Sequence, residues 1–215
     1  MLQKIISGGQ TGADRAALDV AIEFDISHCG WIPKGRKTED CILPDKYQLQ
    51  EMPTASYPKR TEKNILDSDG TLILAHGRLS GGSSLTLKIA KQHHCPRLHV
   101  DLNKTIEFEA AQSVHSWIIR HGIRVLNVAG ARASKDPAIY QATFKVLQAV
   151  FHLSEIDFSM SNYARSDGQP KTVDEAVDRL VAELTLKNMG VRPTQLTAYV
   201  FLSKCPNHAL HPMNG

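Results

Sequence analysis

The chain has 215 residues, of which 42% are hydrophobic, and this suits one globular domain with a small appendage. Its formal charge of +3 is too small to indicate nucleic acid or an anionic membrane as the main partner, although it allows a local cationic patch for one small anion. No apolar run approaches the roughly 20 residues of a membrane helix. The four cysteines form no CxxC pair and there is no secretory signal, so we expect reduced thiols and a cytoplasmic location.

Short apolar runs alternate with helical patterns through about residue 150. The runs predict strands at residues 2–7, 26–32, 70–77, 96–102 and 123–130. Between most of them, a 3.6-residue periodicity predicts helices over residues 13–24, 83–93, 105–120 and 137–152. This alternation is typical of an α/β fold, in which right-handed crossovers place helices on both faces of a mainly parallel sheet. The sequence therefore predicts three layers around a five-stranded sheet.

Residues 31–60 interrupt this alternation. They show no clean period and contain four prolines. A segment of this kind inside a domain is usually a functional loop or a disordered one. Because it carries Trp31, Tyr47, Tyr57 and several cations, we favour a binding loop over a disordered linker.

The chain changes character after the last predicted strand and helix. We assign residues 1–153 to the ligand-binding domain, 154–171 to a polar linker and 172–215 to a helical extension of unknown role. Thr172 and Glu175 form a capping box at the start of an amphipathic helix. Its apolar stripe predicts packing or a dimer contact, and we expect a homo-oligomer.

The stretch SGGQTGAD, residues 7–14, connects the first predicted strand to the first predicted helix. The start of a helix has unpaired N–H groups and a partial positive charge, and glycines let a ligand oxygen approach them. One interpretation is a phosphate site, and the other is a tight turn with an ordinary cap provided by Thr11. The residues assigned to the candidate site are Gly8, Gly9, Gln10, Thr11 and Gly12.

The residues after Gly12 exclude two common nucleotide motifs. Ala13 and Asp14 stand where a Walker A loop has Lys-Ser/Thr, and the glycine spacing is not GxGxxG. Asp14 either caps the helix or accepts a hydrogen bond from a ligand, and Arg15 supplies a nearby cation. We include both residues in the candidate site.

A second glycine turn, GRLSGGSSLT, follows the third predicted strand and opens another helix. If the strand order is 2-1-3-4-5, this turn faces the first one where the order reverses, which is where ligands bind in open α/β sheets. The last predicted strand ends in NVAGARASKDP, in which Arg132 either contacts a phosphate or forms a surface ion pair. From these two stretches the candidate site includes Gly77, Gly81, Gly82, Ser83 and Arg132.

Five motifs that occur in order over about residues 3–150 closely resemble the molybdenum carrier family. They are ISGGQTGADRAALDVA, GWIPKGRKTEDCILPDKY, YPKRTEKNILDSDGTLIL, GGSSLT and NVAGARAS. That family belongs to a wider group of Rossmann-like proteins, which includes the lysine-decarboxylase-like phosphoribohydrolases. The resemblance implies a Rossmann-like fold and does not extend to the C-terminal residues.

The resemblance also implies a site for a nucleotide-like or pterin-phosphate ligand, because some family members are thought to carry molybdenum cofactor. The phosphate would lie against one of the two glycine turns. Trp31 would stack on the planar ring, or it is a core or interface aromatic. Three cations complete the expected site around the anion: Lys34, Arg36 and Arg60.

The related phosphoribohydrolases carry a Gly-Gly-x-Gly-Thr turn followed closely by glutamates. Here GGSSLTLKIA places Leu87 and Lys88 where those acids would be. Other carboxylates, Glu39, Asp40, Asp67 and Asp69, are caps, surface charges or candidates for catalysis. We therefore expect a non-catalytic carrier or binding protein for molybdenum cofactor or a nucleotide-like molecule. The alternative is a hydrolase or transferase acting on a nucleotide derivative, and no metal site is expected.

Overall fold

The computed structural model describes the backbone of residues 2–163 and the side chains through residue 156. Seven strands lie within that range: β1 Lys4–Ser7, β2 Ser27–Cys29, β3 Trp31–Ile32, β4 Gln50–Glu51, β5 Gly70–Ala75, β6 Arg97–Asp101 and β7 Val125–Gly130. Five helices accompany them: α1 Ala13–Glu23, α2 Tyr57–Leu66, α3 Gly81–Gln92, α4 Glu107–His121 and α5 Ile139–Tyr163.

The main sheet has five strands in the order β2-β1-β7-β5-β6, and every pairing in it is parallel. Strand β7 lies at its centre, between β1 and β5. All six residues of β5 are buried, which is the pattern of a parallel strand covered by helices on both faces. The predicted Rossmann-like α/β sandwich is confirmed.

The predicted strand order was wrong. Counting the five main strands along the chain, the order is 2-1-5-3-4, because β7 inserts between β1 and β5 and pairs with both. Apolar runs identify strands but carry no information on which strands pair, so the alternation could not reveal this insertion. Renumbered to start at β7, the order becomes 3-2-1-4-5, which is the doubly wound order 3-2-1-4-5-6 without its sixth strand.

Helices cover both faces of the sheet. Right-handed crossovers place α1 and α4 on one face and α2 and α3 on the other. Helix α5 joins the first group, since Phe151 stacks on Phe24 after α1 with ring centroids 5.2 Å apart and Lys145 bonds to Glu107 of α4. On the opposite face, α2 packs against α3. The side chain of Asn64 in α2 then reaches Trp31 of β3.

The second predicted strand is divided at Gly30 into β2 and β3, which belong to different sheets. Gly30 has a φ of 146°, and a Cβ there would lie 2.0 Å from the carbonyl oxygen of Ser7. The chain can pass this close to β1 only with glycine at the position. Beyond it, β3 pairs with β4 in a separate two-stranded sheet.

Much of the segment 31–60 is ordered, as the binding-loop interpretation requires. A buried cluster anchors it, consisting of Leu18, Ile32, Leu43, Tyr47 and Leu49. Its last part is not a loop, because α2 begins at Tyr57 and Ser56 accepts the N-cap hydrogen bond. This helix has little apolar stripe, with Asn64 and Ile65 its buried residues, so its periodicity was hidden in the sequence.

Helix α5 extends to Tyr163, past the end predicted for the last helix and into the segment predicted as a linker. The chain divides into two compact units at residues 158 and 159. The predicted helix that begins at Thr172, the rest of the linker and the extension lie outside the described residues. No helix in the described part is long and apolar enough to cross a membrane.

Candidate functional site

The turn that follows β1 is closed by the protein's own carboxylate. The backbone N–H of Gln10 donates to Oδ2 of Asp14 at 3.4 Å, and Asp14 lies in the first turn of α1. Thr11 was predicted to be the N-cap of α1, but Gly12 holds that position, with a φ of 78° and no hydrogen bond from a side-chain cap. Asp14 therefore caps the turn that precedes the helix, where an anionic ligand was expected.

Two of the three glycines in this turn are required by packing. A Cβ on Gly9 would lie 2.8 Å from methyl groups of Leu43 and Leu49. A Cβ on Gly12 would lie 2.4 Å from the carbonyl oxygen of Ala131. Gly9 and Gly12 let the long segment, residues 31–60, and the loop after β7 approach the turn. The predicted contact of these two glycines with a ligand has no direct support from this geometry.

Gln10 and Thr11 also point to neighbouring loops. The Gln10 side-chain oxygen accepts hydrogen bonds from the N–H groups of Thr11 at 3.0 Å and Glu39 at 2.9 Å. The Thr11 hydroxyl donates to Glu39 and accepts from the N–H of Ala133. Glu39 in turn accepts from the amide and hydroxyl of Ser134 at 3.1 and 2.6 Å. The turn is thereby tied to the long segment and to the loop after β7.

These hydrogen bonds determine the charge of Glu39. Burial acts to raise its pKa, but the bonds from Ser134 and Thr11 outweigh that effect and hold the pKa below its usual value. Glu39 is therefore an ionised structural link, and its position does not suggest a proton donor.

Two arginines assigned to the site hold the long segment in place. Arg15 pairs with Asp40 through two hydrogen bonds of 3.1 and 3.2 Å, which hold the pKa of Asp40 well below its usual range. Arg36 donates to four backbone carbonyl oxygens, those of Leu43, Pro44, Tyr47 and Leu49. The guanidinium group of Arg36 is occupied by these carbonyls, and its contact with an anion stays a prediction without support from this geometry.

Trp31 of β3 and Lys34 of the following loop, both predicted to contact the ligand, have other contacts in the structure. The indole N–H of Trp31 donates to Asp67 at 2.7 Å, and the ammonium of Lys63 lies 5.2 Å from the ring centre. Trp31 is thus fixed against α2. Lys34 is exposed, and its backbone N–H donates to the carbonyl of Thr54.

Arg60 is the predicted cation that does reach the glycine turn. A Cβ on Gly8 would lie 1.9 Å from Nη1 of Arg60, so the guanidinium packs directly on the bare backbone. Nη1 lies 3.8 Å from Asp14, with the two side chains 12% and 8% exposed. The Nε of Arg60 is buried and has no hydrogen-bond partner among the described residues. A buried donor of this kind is costly unless a water or ligand completes it.

Arg132 brings a second positive charge to the same place. Its guanidinium lies 5.4 Å from the ring centre of Tyr57, and that of Arg60 lies 5.9 Å from the same ring. Within the part of the chain that the structure describes, Arg132 has no hydrogen bond or ion pair from its side chain. We call Asp14, Tyr57, Arg60 and Arg132 the arginine cluster.

The ion pair inside the arginine cluster is incompletely compensated. Burial raises the pKa of Asp14, while Arg60 acts to lower it. Burial also lowers the pKa of Arg60, while Asp14 acts to raise it. Both pKa shifts show that the loss of hydration on burial outweighs the attraction between Asp14 and Arg60 across 3.8 Å. Because its Nε also lacks a partner among the described residues, the guanidinium of Arg60 retains a donor for a further anionic partner.

A narrow cleft lies beside the arginine cluster: its cavity volume is about 10 Å³, the room of about one water molecule, within about 180 Å³ of empty space that includes open solvent. Its lining comes from the turn after β1, from α2, from α3 and from β7: Gly8, Arg60, Thr61, Asn64, Thr86, Asn127, Val128 and Ala129. The cleft thus lies at the sheet centre, where β1 and β7 adjoin.

The second glycine turn is more open than the first. A Cβ on Gly81 or Gly82 would meet nothing within 4 Å, and both glycines are exposed at the start of α3. Ser83 is buried, and Gly77, with a φ of 81°, donates its N–H to Asp101 at 2.7 Å. This helix start keeps its N–H groups accessible to an anion, in contrast to the turn after β1.

Sequence reasoning named Arg60 but missed the helix α2 that places it beside other residues of the site. Tyr57, Arg60, Thr61 and Asn64 have the i, i+3, i+4, i+7 spacing of one helical face. Ser56 followed by a proline near the first helical position was the available signal for the helix start. Among the described residues, no group of three or more His, Cys, Asp or Glu side chains could hold a metal ion.

Comparison with known proteins agrees with this fold. A family model described as "Circularly permutated YpsA SLOG family" matches residues 5–151. The chain is also 58% identical to a protein of solved structure, described as "Putative molybdenum carrier protein" from Syntrophus aciditrophicus SB, with a TM-score of 0.69. The similarity covers 69% of this chain and 94% of that one. None of the curated proteins matches. The resemblance to molybdenum carriers is thus confirmed, and this chain belongs to the circularly permuted YpsA SLOG family.

Proposed function

We propose that this chain is a binding protein that carries a small phosphorylated molecule at the arginine cluster, and that the molecule is a molybdenum-bearing pterin phosphate. The observation that supports this best is that Arg60 and Arg132 both lie beside the ring of Tyr57 while the guanidinium of Arg60 packs on Gly8, with its Nε buried and without a partner among the described residues. The description of the related structure as a molybdenum carrier favours this ligand over an ordinary nucleotide.

Each part of such a ligand has a corresponding group. Guanidinium groups suit phosphate because they donate in a planar fork. Thr86 of α3 lines the cleft, and the exposed start of that helix, about one turn before Thr86, offers further N–H groups. Tyr57, which is 40% exposed and already has two guanidiniums near its ring, replaces Trp31 as the surface on which a planar ring would stack.

The carboxylates considered for catalysis lie in structural contacts, which supports carriage over hydrolysis. Glu39 links Thr11 to Ser134. Asp69 accepts from the N–H groups of Arg124 and Val125, at the amino ends of the strands and so at the edge of the sheet opposite the site. The hydrolase or transferase alternative therefore has no candidate acid in the cleft among the residues named for it. The cytoplasmic location and the homo-oligomeric state stay predictions.

Replacing Arg132 with alanine tests this proposal, since it removes an exposed cation that makes no ion pair within the described residues. We expect about a tenfold to hundredfold loss of affinity for phosphate, molybdate and molybdopterin, the range that corresponds to one charge-assisted hydrogen bond. Arg120→Ala is the matched control, because Arg120 is exposed in the last turn of α4, at the other edge of the sheet. Calorimetric titration measures affinity, and thermal shift confirms that the variants are folded.

Equal affinity in the Arg132 and Arg120 variants would contradict the proposed site. Incubation with nucleoside monophosphates, followed by chromatography, tests the alternative. Release of base or phosphate that is proportional to protein concentration would favour the hydrolase over the carrier.

A further inference from the structure

We propose that Asp14 is an internal competitor of the anionic ligand, so that its charge sets how tightly the arginine cluster holds an anion and makes that affinity depend on pH. This inference rests on the proposed function. The fold places Asp14, in the first turn of α1, against the guanidinium of Arg60, which is the group proposed to bind the ligand.

Asp14 occupies the position that an external anion would take at the turn after β1. Its carboxylate accepts the N–H of Gln10 and lies 3.8 Å from Arg60, whose Nε still lacks a hydrogen-bond partner in the described residues. An incoming anion must therefore share Arg60 with a negative charge that is already present. Like charges within a few ångströms weaken one another's binding strongly because the site is shielded from water.

The groups that face Asp14 come from three elements. Arg60 of α2 and Arg132 of the loop after β7 favour its charged form, while burial opposes it. Tyr57 lies between the two guanidiniums, and Glu39 of the long segment is ionised by its own hydrogen bonds. Burial raises the pKa of Asp14, whereas hydrogen bonds hold the pKa of Glu39 below its usual value, so Asp14 is protonated before Glu39 as the pH falls. Protonation leaves Arg60 free to pair with the ligand.

Asp14→Asn separates charge from shape, because the asparagine side-chain oxygen can still accept the N–H of Gln10. Sulfate is the probe, since it keeps two negative charges across the pH range and only the protein titrates. We expect wild-type affinity for sulfate to fall as the pH rises from 4 to 8, because burial raises the pKa of Asp14 above its ordinary value. The variant should bind about tenfold more tightly at pH 8 and show little change with pH.

Asp69→Asn is the matched control, because it makes the same chemical change at the opposite edge of the sheet. It should keep the wild-type affinity and pH profile. Thermal unfolding without sulfate shows whether each variant is folded. If Asp14→Asn does not fold, the wild-type profile decides, and a flat profile overturns the inference.

The two proposals fail in distinguishable ways. Sulfate binding that depends on Arg132 but is equal in wild type and Asp14→Asn, and flat with pH in both, overturns only the role of Asp14. Absence of binding by sulfate, phosphate and molybdate at every pH overturns the proposed function and the role of Asp14 together.

Discussion

Replacing Gly12 with alanine should destabilise the domain severely, although nothing about the substitution changes charge or polarity. Gly12 has φ 78° and ψ −129°, a conformation that residues with a side chain avoid. The added Cβ would lie 2.4 Å from the carbonyl oxygen of Ala131 and 2.9 Å from the amide nitrogen of Ala133. Both are backbone atoms, so the loop after β7 would have to move.

The expected loss follows from these contacts. The backbone conformation costs about 1–3 kcal/mol for alanine. Movement of the loop also weakens two hydrogen bonds, from the Ala13 N–H to Ala131 and from the Ala133 N–H to Thr11, both 3.2 Å long. At about 1 kcal/mol each, these bring the decrease in unfolding free energy to about 3–5 kcal/mol. That is a large part of the 5–15 kcal/mol typical of a domain.

Gly81→Ala is the matched comparison. Gly81 also has a positive φ, 50°, but a Cβ there would meet nothing within 4 Å. Only the conformational penalty remains, about 1 kcal/mol. Urea unfolding followed by tryptophan fluorescence measures both variants, and both tryptophans of the chain, Trp31 and Trp117, lie in the described domain. Equal losses of unfolding free energy in the two variants would refute the packing explanation for Gly12, and contact with a ligand would again be the better reason for that glycine.

Two further predictions concern the long segment. Arg36→Ala should lower the free energy of unfolding by about 2–4 kcal/mol, because four backbone carbonyls lose a charged donor and water replaces only part of that hydrogen bonding. Urea unfolding beside the control Arg120→Ala measures this loss, and similar stability of the two variants would contradict the structural role of Arg36. Asp40→Asn should be less stable than wild type at pH 7, with a difference that shrinks below about pH 4. The sign follows from the depressed pKa of Asp40, since stabilisation by Arg15 is present above the unfolded-state pKa and is lost as the pH falls through the folded-state value. Thermal melts at pH 7 and pH 3 test it, and a difference that does not depend on pH would argue against the Arg15 pair.

The sequence was sufficient to predict the elements whose burial is uniform. Strand β5 is buried along its whole length and stands out as an apolar run, and α1 has a clear apolar face. Helix α2 was hidden because it is largely exposed and rests on α3 through few buried residues. The strand order depends on pairing between distant segments, which local periodicity does not record.

The sequence named several of the loops that meet at the arginine cluster, but it did not reveal the contacts that their side chains make within the protein. Glycine and arginine are favoured both by ligand contacts and by close packing of loops, and the sequence alone does not distinguish the two. Gly9 and Arg36 proved to serve packing, because each has neighbours that a ligand would have to displace. Arg60 remains a candidate ligand contact, since its guanidinium lies on Gly8 and its Nε has no hydrogen-bond partner in the described part of the chain.

The strand order explains why residues so far apart in sequence converge on one site. Helices α1 and α3 leave the centre of the sheet in opposite directions, so the order reverses around β7, and a crevice forms there at the carboxyl ends of the strands. Asp14, Arg60 and Arg132 come from three different connections that border this crevice. A chain that began at β7 would place the same connections around the same strands. The crevice is therefore a property of the sheet, independent of where the chain starts, and the chemistry depends on which side chains those connections supply.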